Sequence, residues 1–213
     1  FNDLLGRLER AYEQLEGFNA DVAHELCTPL TTLIGGTELA LRKARDASEL
    51  REVLGSNLED LNRIAGIVHD MLFLSQADRG ATARRTPTRS LADLARQVSN
   101  YHEAPLAEAG LKLEIVGDVG GSFDTPLLQR ALSNLISNAT RYGKRESTVR
   151  VEISRASASE VRLCVVNKGT TIDPNDLPRL FDRFYRVDQS RSDAHHSHGL
   201  GLSIVAAIAR MHG

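Results

Sequence analysis

Two stripes of apolar residues at helical spacing constrain the fold of this 213-residue chain more than any other feature. The first stripe consists of Val22, Leu26, Leu30, Leu33, Leu39 and Leu41, and the second of Leu50, Leu54, Leu58, Leu61, Ala65, Val68 and Leu72. A charged stretch, residues 42–49, separates them and predicts a hairpin turn. Two antiparallel helices with one stripe each cannot close a core alone. The pattern therefore predicts a helical hairpin that dimerises into a four-helix bundle.

A heptad pattern precedes the hairpin. Its apolar residues are spaced alternately four and three positions apart, as in a coiled-coil seam, and they are Phe1, Leu5, Leu8, Tyr12 and Leu15. Phe18 follows one position too early, so the pattern breaks around Gly17. Two interpretations stay open: the helix ends at Gly17, or the break is a joint that passes rotation of an upstream helix pair to the residues beyond.

Composition excludes several classes of protein. The chain is 41% hydrophobic and 25% charged, which is typical of one large or two small globular domains, and we favour two. A net charge of -2 gives no basic footprint for nucleic acid or acidic lipid. Cys27 and Cys164 lie far apart, which favours a reducing compartment over a disulfide scaffold. No membrane span or signal peptide is visible, and we expect an excised piece whose membrane anchor, if any, lies outside it.

The rest of the chain alternates strand and helix signals. Residues 77–89 lack periodicity and predict a linker, after which Ser90 and Asp93 form a helix N-cap signal. The breakers Pro105 and Gly110 follow. L-K-L-E-I, V-R-V-E-I and V-R-L-C-V-V have the period of two of half-buried strands. With one helix opened by Asp124 and another over about residues 202–210, the pattern predicts an α+β layer, helices on one face of a mixed sheet.

The segment F-N-A-D-V-A-H-E-L-C-T-P-L holds the candidate reactive residue, His24. Thr28 lies one helical turn later on the same face, and Glu25 lies next to the imidazole, where it can orient or deprotonate it. Pro29 should remove one backbone hydrogen bond and bend the helix just after this turn. A lone helical histidine is more often packed or solvated, so the remaining motifs must decide.

Asparagine side chains recur in the helix that Asp124 opens. Asn134 and Asn138 are four positions apart, so both amides project from one face. Arg141 and Tyr142 follow near the helix end and could supply a phosphate partner and an aromatic surface. The alternative is a network that only stabilises the helix end.

Glycine-rich turns complete the set of motifs. Asn167-Lys168-Gly169 follows a predicted strand, and Gly199-Leu200-Gly201 opens the last helix, whose first N–H groups could receive a phosphate. Each motif alone is weak evidence, because such turns before helices are common. Their order along the chain is far more specific.

That order resembles the sensor histidine kinases of bacterial two-component systems. The motifs that carry the resemblance are H-E-L-C-T-P-L, N-L-I-S-N-A-T-R-Y, N-K-G-T-T-I, L-F-D-R-F-Y-R and G-L-G-L-S-I. The stretch from V-V-N-K-G to F-Y-R-V-D is similar to the subgroup that includes heavy-metal sensor kinases. The resemblance implies a coiled-coil linker (1–17), a dimerisation and histidine phosphoacceptor domain (18–80), a linker (81–89) and an α/β-sandwich ATP-binding domain of the gyrase and Hsp90 type (90–213).

The resemblance also implies roles for single residues. His24 would be the phosphoacceptor, Glu25 its neighbouring base, and Thr28 would position a water for dephosphorylating the partner. Asn138 would hold Mg²⁺, with Asn134 as an orienting group beside it. The other implied nucleotide-binding residues are Arg141, Tyr142, Asn167, Gly169, Ile172, Arg191, Gly199, Leu200 and Gly201. Phe181 and Phe184 would pack at the root of a lid over about residues 186–198, where Arg191 would reach the γ-phosphate.

Four residues depart from the family pattern. Cys27 replaces a basic residue near His24, which should slow transfer or dephosphorylation. Asn167 replaces the adenine-reading Asp, and Thr171 and Ser197 stand where glycines are usual, so we expect reduced nucleotide affinity. A separate histidine cluster in the lid, His195, His196 and His198, matches no closed zinc pattern and is interpreted as a solvated loop rather than a metal site.

These inferences predict the cytoplasmic portion of an inner-membrane protein. It would form a homodimer, autophosphorylate His24 from Mg-ATP, pass the phosphoryl group to an aspartate of a response regulator receiver domain, and dephosphorylate that regulator. The alternatives are a degenerate kinase that binds nucleotide but signals only by dimer conformation, and an ATPase of the same superfamily. The H-E-x-x-T-P segment argues against the second, because such ATPases do not use an acceptor histidine.

Overall fold

The computed structural model describes residues 2–42, 44–187 and 198–213. Most of the predicted lid, including Arg191, His195, His196 and Ser197, lies outside the described residues. The side chains of the heptad positions Phe1, Leu5, Leu8, Tyr12 and Leu15 also lie outside them. The chain divides into two compact units, residues 1–73 and 74–213, which are described separately below.

The first unit is a helical hairpin. Helix α1 spans Asn2–Leu41, and helix α2 spans Ala47–Asp78. Asp46 ends the turn between them, because its Oδ1 accepts from the backbone N–H groups of Ser48 and Glu49, both at 2.8 Å. A side-chain hydrogen bond joins the helices where Asn57 Nδ2 donates to Thr37 Oγ1 at 2.9 Å. The predicted hairpin is therefore present.

Helix α1 extends past Gly17, the residue at which one of the two interpretations of the heptad break had it end. It continues without a break through Gly17, so the interpretation that the helix ends there is wrong. One glycine in a helix interior costs only about 1 kcal/mol, which the flanking turns can offset. Pro29 also lies inside α1, and its ring is buried. The joint at Gly17 stays a hypothesis.

Most large apolar side chains of the hairpin are exposed in the single chain. Ile67 is fully buried. By contrast, the following residues expose between 39% and 80% of their surface: Leu30, Ile34, Leu39, Leu41, Leu50, Leu54, Leu58, Leu61, Val68 and Leu72. This set, called the apolar stripe below, contains most of the positions from which the hairpin was predicted.

The second unit combines a mixed sheet with helices. Its elements are β1 (Thr86–Thr88), α3 (Leu91–Tyr101), α4 (Glu103–Glu108), β2 (Lys112–Val116), β3 (Gly121–Phe123), α5 (Thr125–Tyr142), β4 (Thr148–Arg155), β5 (Val161–Val166), a 3-10 turn (Leu177–Arg179) and α6 (Gly201–His212). Strand β4 lies between β2, to which it is parallel, and β5, to which it is antiparallel. The mixed sheet is therefore confirmed. Strands β1 and β3 form a separate antiparallel pair.

Local signals explain why these helices begin where they do. Ser90 caps α3 by accepting from Asp93 N at 3.0 Å, as predicted. Asp118 adds a second cap, because its Oδ1 accepts from Ala92 N at 2.9 Å, and this hydrogen bond lowers the pKa of the carboxyl group. Asp124 caps α5 through Leu127 N at 3.2 Å. The apolar faces of α3 and α5 pack against the sheet in one core. This core includes Leu91, Val98, Leu132, Ile136, Val149 and Val151.

Two segments differ from the prediction. The aperiodic stretch 77–89 contains β1, a short strand whose pairing with β3 depends on residues far along the chain. Pro105, predicted as a breaker, lies in α4 instead, because the N–H that proline lacks has no partner in the first turn of a helix.

Three hydrogen bonds hold the first segment of this unit in place. Ala83 N donates to Met211 O at 3.0 Å, and Arg84 N donates to Asp124 Oδ2 at 2.8 Å. Asp124 N in turn donates to His212 Nε2 at 3.2 Å.

Candidate functional site

The hairpin presents His24 on an open surface of α1. The imidazole is exposed, the neighbouring Glu25 is half-buried, and Cys27 and Thr28 are exposed. Thr28 Oγ1 donates to the backbone carbonyl of His24 at 3.1 Å. Its proton is therefore committed to the helix, and only its lone pairs remain to accept a hydrogen bond from solvent.

Helix α5 holds the two asparagines of the second unit. Ala131, Leu132 and Ile136 form the buried face of this helix, whereas Asn134 and Asn138 are half-buried. The amides therefore lie at the margin of the packed face. Their carbonyl oxygens are of the ligand type that hard divalent cations such as Mg²⁺ accept.

The first turn of α6 lies against Asn134. A Cβ built on Gly201 would lie 3.5 Å from Asn134 Oδ1. Leu200, which precedes α6, is buried and provides no side-chain cap. The first backbone N–H groups of α6 have no acceptor within the helix and carry its positive dipole end. The structure thus brings Asn134 and the Gly199-Leu200-Gly201 turn together.

Gly199 makes a close backbone contact with Phe184. Gly199 has φ +68°, and a Cβ there would lie 2.6 Å from the Phe184 carbonyl carbon. Phe184 N donates to Gly199 O at 3.0 Å, and Phe184 itself has φ +61°. No other residue type fits at Gly199 without displacing the backbone of Phe184. Sequence reasoning expected Phe184 near the lid but did not foresee this pairing.

The end of α5 meets the turn after β5 through two glycines. Gly143 and Gly169 form an antiparallel bridge, and Lys144 N donates to Lys168 O at 2.6 Å. A Cβ on Gly169 would lie 2.4 Å from the Tyr142 carbonyl oxygen. This contact excludes every side chain at Gly169 and brings Tyr142 close to the turn that contains Asn167.

Asn167 is oriented by its own turn. Its Nδ2 donates to Lys168 O at 3.4 Å, so Oδ1 is the atom that remains to accept from a ligand amine. At the end of α5, the Arg141 guanidinium lies 5.9 Å from the centre of the Tyr142 ring. Ile172 is 40% exposed and follows the glycine bridge in sequence.

A polar cluster that the sequence did not indicate spans the 3-10 turn and consists of Asp176, Arg179 and Tyr185. Tyr185 donates from its hydroxyl to Asp176 Oδ1 at 2.6 Å, and this hydrogen bond raises the pKa of the tyrosine. The Arg179 guanidinium lies 4.2 Å from the centre of the Tyr185 ring. Of these three residues, only Tyr185 lies in the motif L-F-D-R-F-Y-R, and only the fold shows that Asp176 and Arg179 contact it.

His102 is a second residue that the sequence did not indicate. Its Nε2 lies 2.8 Å from Ser133 Oγ, directly before Asn134 on α5. Burial lowers the pKa of this imidazole, because the charged form loses hydration.

Within residues 2–42, 44–187 and 198–213, no group of three His, Cys, Asp or Glu side chains could hold a metal ion.

Comparison with known proteins identifies both units. A model of the His Kinase A (phospho-acceptor) domain matches residues 14–80, and a model of the histidine kinase-, DNA gyrase B- and HSP90-like ATPase matches residues 123–213. The first describes a phosphoacceptor hairpin and the second a nucleotide-binding domain. The chain therefore joins a histidine kinase phospho-acceptor domain to a histidine kinase-type ATPase domain, in the order that its motifs predicted, and the relatives it resembles are sensor histidine kinases.

Two relatives illustrate the extent of the match. Sensor histidine kinase CusS of Escherichia coli strain K12 is 45% identical over the whole chain, which spans 44% of that relative. Sensor protein IrlS of Burkholderia pseudomallei strain K96243 is 36% identical over the whole chain, which spans 46% of it. The chain therefore covers less than half the length of these curated relatives. None of its described helices is long and apolar enough to cross a membrane.

Solved structures share the fold. Acinetobacter baumannii histidine kinase AdeS has a TM-score of 0.69 at 22% identity, over 88% of this chain and 86% of that one. Full-length ShkA in complex with AMPPNP has a TM-score of 0.65 at 23% identity, over 90% and 40%. Histidine kinase ThkA in complex with response regulator protein TrrA has a TM-score of 0.65 at 20% identity, over 84% and 53%. The predicted fold class is confirmed.

Proposed function

We propose that this chain is the catalytic core of a sensor histidine kinase that phosphorylates His24 from Mg-ATP and passes the group to an aspartate of a response regulator. The observation that carries the proposal is the arrangement in the second unit. The side-chain oxygen of Asn134 lies beside the start of α6 at Gly201, and the backbone carbonyl of Tyr142 lies against the turn of Gly169. Amides, an aromatic ring, glycine backbone and a helix N-terminus are the groups that a nucleotide and its metal need.

The residues present fit ATP and Mg²⁺. Asn138 would hold the metal, with Asn134 orienting it, and Mg²⁺ when bound offsets phosphate charge during transfer. Arg141 would contact phosphate, and Tyr142 would flank the base. Asn167 Oδ1 would accept from the adenine amine, since Nδ2 is turned toward Lys168 O. The implied roles of Ile172, Arg191, Gly199 and Leu200 belong to the same proposal.

His24 would act as the nucleophile. Neutral imidazole keeps a lone pair near pH 7, and the exposed ring allows approach of the γ-phosphorus. As the N–P bond forms, the P–O bond to ADP breaks and ADP leaves. The proton on the other ring nitrogen passes to the carboxylate of Glu25. Transfer to the regulator then breaks the N–P bond and forms an acyl phosphate on its aspartate.

Thr28 would support a separate reaction that opposes this transfer, hydrolysis of that acyl phosphate by water. Its proton is committed to His24 O at 3.1 Å, so its lone pairs can orient an attacking water. Thr28→Ala should therefore abolish regulator dephosphorylation while His24 labelling continues. Thr32→Ala is the matched control, because Thr32 makes the same contact one turn later, to Thr28 O at 3.2 Å. Equal phosphatase rates in both variants would contradict this role.

The partners follow from the same proposal. The exposed apolar stripe supports a homodimer, since two copies can bury it together. ThkA in complex with TrrA supports a response regulator as the second partner, and ShkA with AMPPNP supports ATP as the nucleotide. The location as a cytoplasmic portion of an inner-membrane protein stays a prediction, which fractionation of cells expressing the full-length protein would test.

The test is incubation with Mg²⁺ and γ-labelled ATP, comparing the chain with His24→Gln. His69→Gln is the control, because His69 is an exposed histidine on α2 that the proposal does not use. Acid-labile label should appear in the chain and the control and disappear in His24→Gln. Nucleotide binding without any label would instead support the degenerate kinase, and Cys27, Asn167 and Ser197 would be the first residues to revert.

A further inference from the structure

A basic cleft lies in the second unit, where the loop between α5 and β4 meets the end of β5. It is lined by residues 144–148, Arg150 and Lys168, and its volume is about 490 Å³. None of these residues is among those proposed to bind the nucleotide. The name "basic cleft" refers to this set below.

The cleft concentrates positive charge in a chain whose net charge is -2. Four of its side chains are cationic, and one is a carboxylate. Arg150 is already paired with Glu114 at 3.3 Å and Glu152 at 3.6 Å. Lys144, Arg145 and Lys168 have no carboxylate partner within the part of the chain that the structure describes. Cations gathered in a concave site focus positive potential and attract anions.

The backbone of the cleft is held in place before any ligand arrives. Lys144 N donates to Lys168 O at 2.6 Å, and Ser147 N donates to Lys144 O at 3.1 Å. Lys112 N donates to Ser147 O at 3.1 Å, which ties the loop to β2. These contacts use main-chain atoms only. The side chains are therefore presented by a fixed frame, and replacing them does not remove it.

Two local features of the loop between α5 and β4 lower the stability of the folded chain, and no contact within the loop offsets them. Glu146 has φ +63°, a conformation that glycine adopts far more readily, and its N donates to Gly110 O at 2.9 Å. The Ser147 hydroxyl oxygen is buried and has no hydrogen-bond partner among the described residues. Backbone strain and unpaired polar atoms of this kind cluster at ligand sites.

We propose that the basic cleft binds a small oligophosphate anion of the pyrophosphate class. The volume lies in the range of small-molecule sites, and lysine and arginine side chains are the usual partners of phosphate oxygens. Glu114 and Glu152 pair with Arg150, and Glu146 also lines the cleft, so an extended polyanion such as nucleic acid would meet carboxylates beside the cations. The charge pattern favours a compact ligand.

The test is a titration of the ¹⁵N-labelled full chain with pyrophosphate, observed by NMR. Mg²⁺ is omitted and ADP is saturating, so that the proposed nucleotide site is occupied. The amides of residues 144–148 and 168 should shift, and those of residues 199–201 should not. Shifts confined to residues 199–201, or no shifts up to millimolar pyrophosphate, would overturn the proposal.

Charge variants sharpen the result. The double variant Lys144→Gln, Lys168→Gln should weaken binding tenfold or more, and Glu146→Gln should tighten it several-fold because it removes the one carboxylate that lines the cleft. Arg162→Gln is the control, since Arg162 is an exposed cation on β5 outside the cleft. Equal weakening by Arg162→Gln and by the double variant would show non-specific screening and contradict a defined site.

Discussion

The hairpin and the ATP-binding domain organise their chemistry in opposite ways. In the hairpin, the candidate acceptor and its neighbours occupy one continuous turn of α1, from His24 to Thr28, and the apolar stripe is exposed. In the ATP-binding domain, the candidate groups come from α5, the turn after β5 and the start of α6, held around a closed core. The candidate acceptor therefore depends on local sequence, whereas the candidate nucleotide site depends on long-range packing.

The largest expected effect is loss of the pairing between two copies of the hairpin. Leu58→Glu places a charge in the apolar stripe, where Leu58 is 59% exposed in the single chain. If two copies bury the stripe, each loses about 1.5–3 kcal/mol of apolar burial and must also accommodate a charge. Light scattering coupled to size-exclusion chromatography should show monomer. Arg51→Glu, on the opposite face, should stay dimeric, and a dimer in both variants would refute the four-helix bundle.

The second-largest effect is expected from a substitution in the bridge between Gly143 and Gly169 of the ATP-binding domain. Gly169→Ala places a Cβ 2.4 Å from Tyr142 O, and such overpacking costs about 1–3 kcal/mol. Thermal unfolding should begin at a lower temperature, and nucleotide affinity should fall. Gly55→Ala is the matched control: nothing lies within 4 Å of its added Cβ, so alanine should stabilise α2 by up to about 1 kcal/mol.

A smaller effect is expected in the ATP-binding domain when the side-chain amide nitrogen of Asn167 is replaced by oxygen. Asn167→Asp restores a charged acceptor, and charge-assisted hydrogen bonds are about twice as strong as neutral ones. ATP affinity should rise about fivefold, measured by calorimetry, while regulator dephosphorylation stays unchanged. Asn175→Asp, on the exposed loop beyond, is the control for added charge alone. An identical rise in both variants would assign the effect to net charge.

The smallest effect is a pH dependence in the ATP-binding domain. The pKa of His102 is lowered from 6.5 by burial, so the unfolded chain takes up a proton before the folded chain does. Stability should therefore be greatest above pH 6.5 and should fall as the pH drops below it. Denaturant unfolding at pH 7.5 and 5.5 should show this loss, and His102→Gln should reduce it. An unchanged loss in the variant would assign it to other groups.

The sequence predicted those features of the fold that depend on residues close together in the chain. The caps at Ser90 and Asp124, the three strands of the mixed sheet and the helical hairpin all follow from spacing and residue type, and the structure has them. Strand β1 and the pairing of Gly199 with Phe184 did not follow, because their partners lie distant in the chain. The assigned roles of the site residues stay predictions, since they rest on resemblance.

The ties at the entry of the ATP-binding domain have a consequence for its opening motions. Ala83 N bonds to Met211 O, and Arg84 N bonds to Asp124, which in turn bonds to His212. An entry segment bonded only to solvent would fray, and its amides would exchange with deuterium in seconds. Here exchange at Ala83 requires the end of α6 to open, and exchange at Arg84 requires release from the Asp124 carboxylate, which is held near His212. The first residues of this domain should therefore be protected together with its last helix.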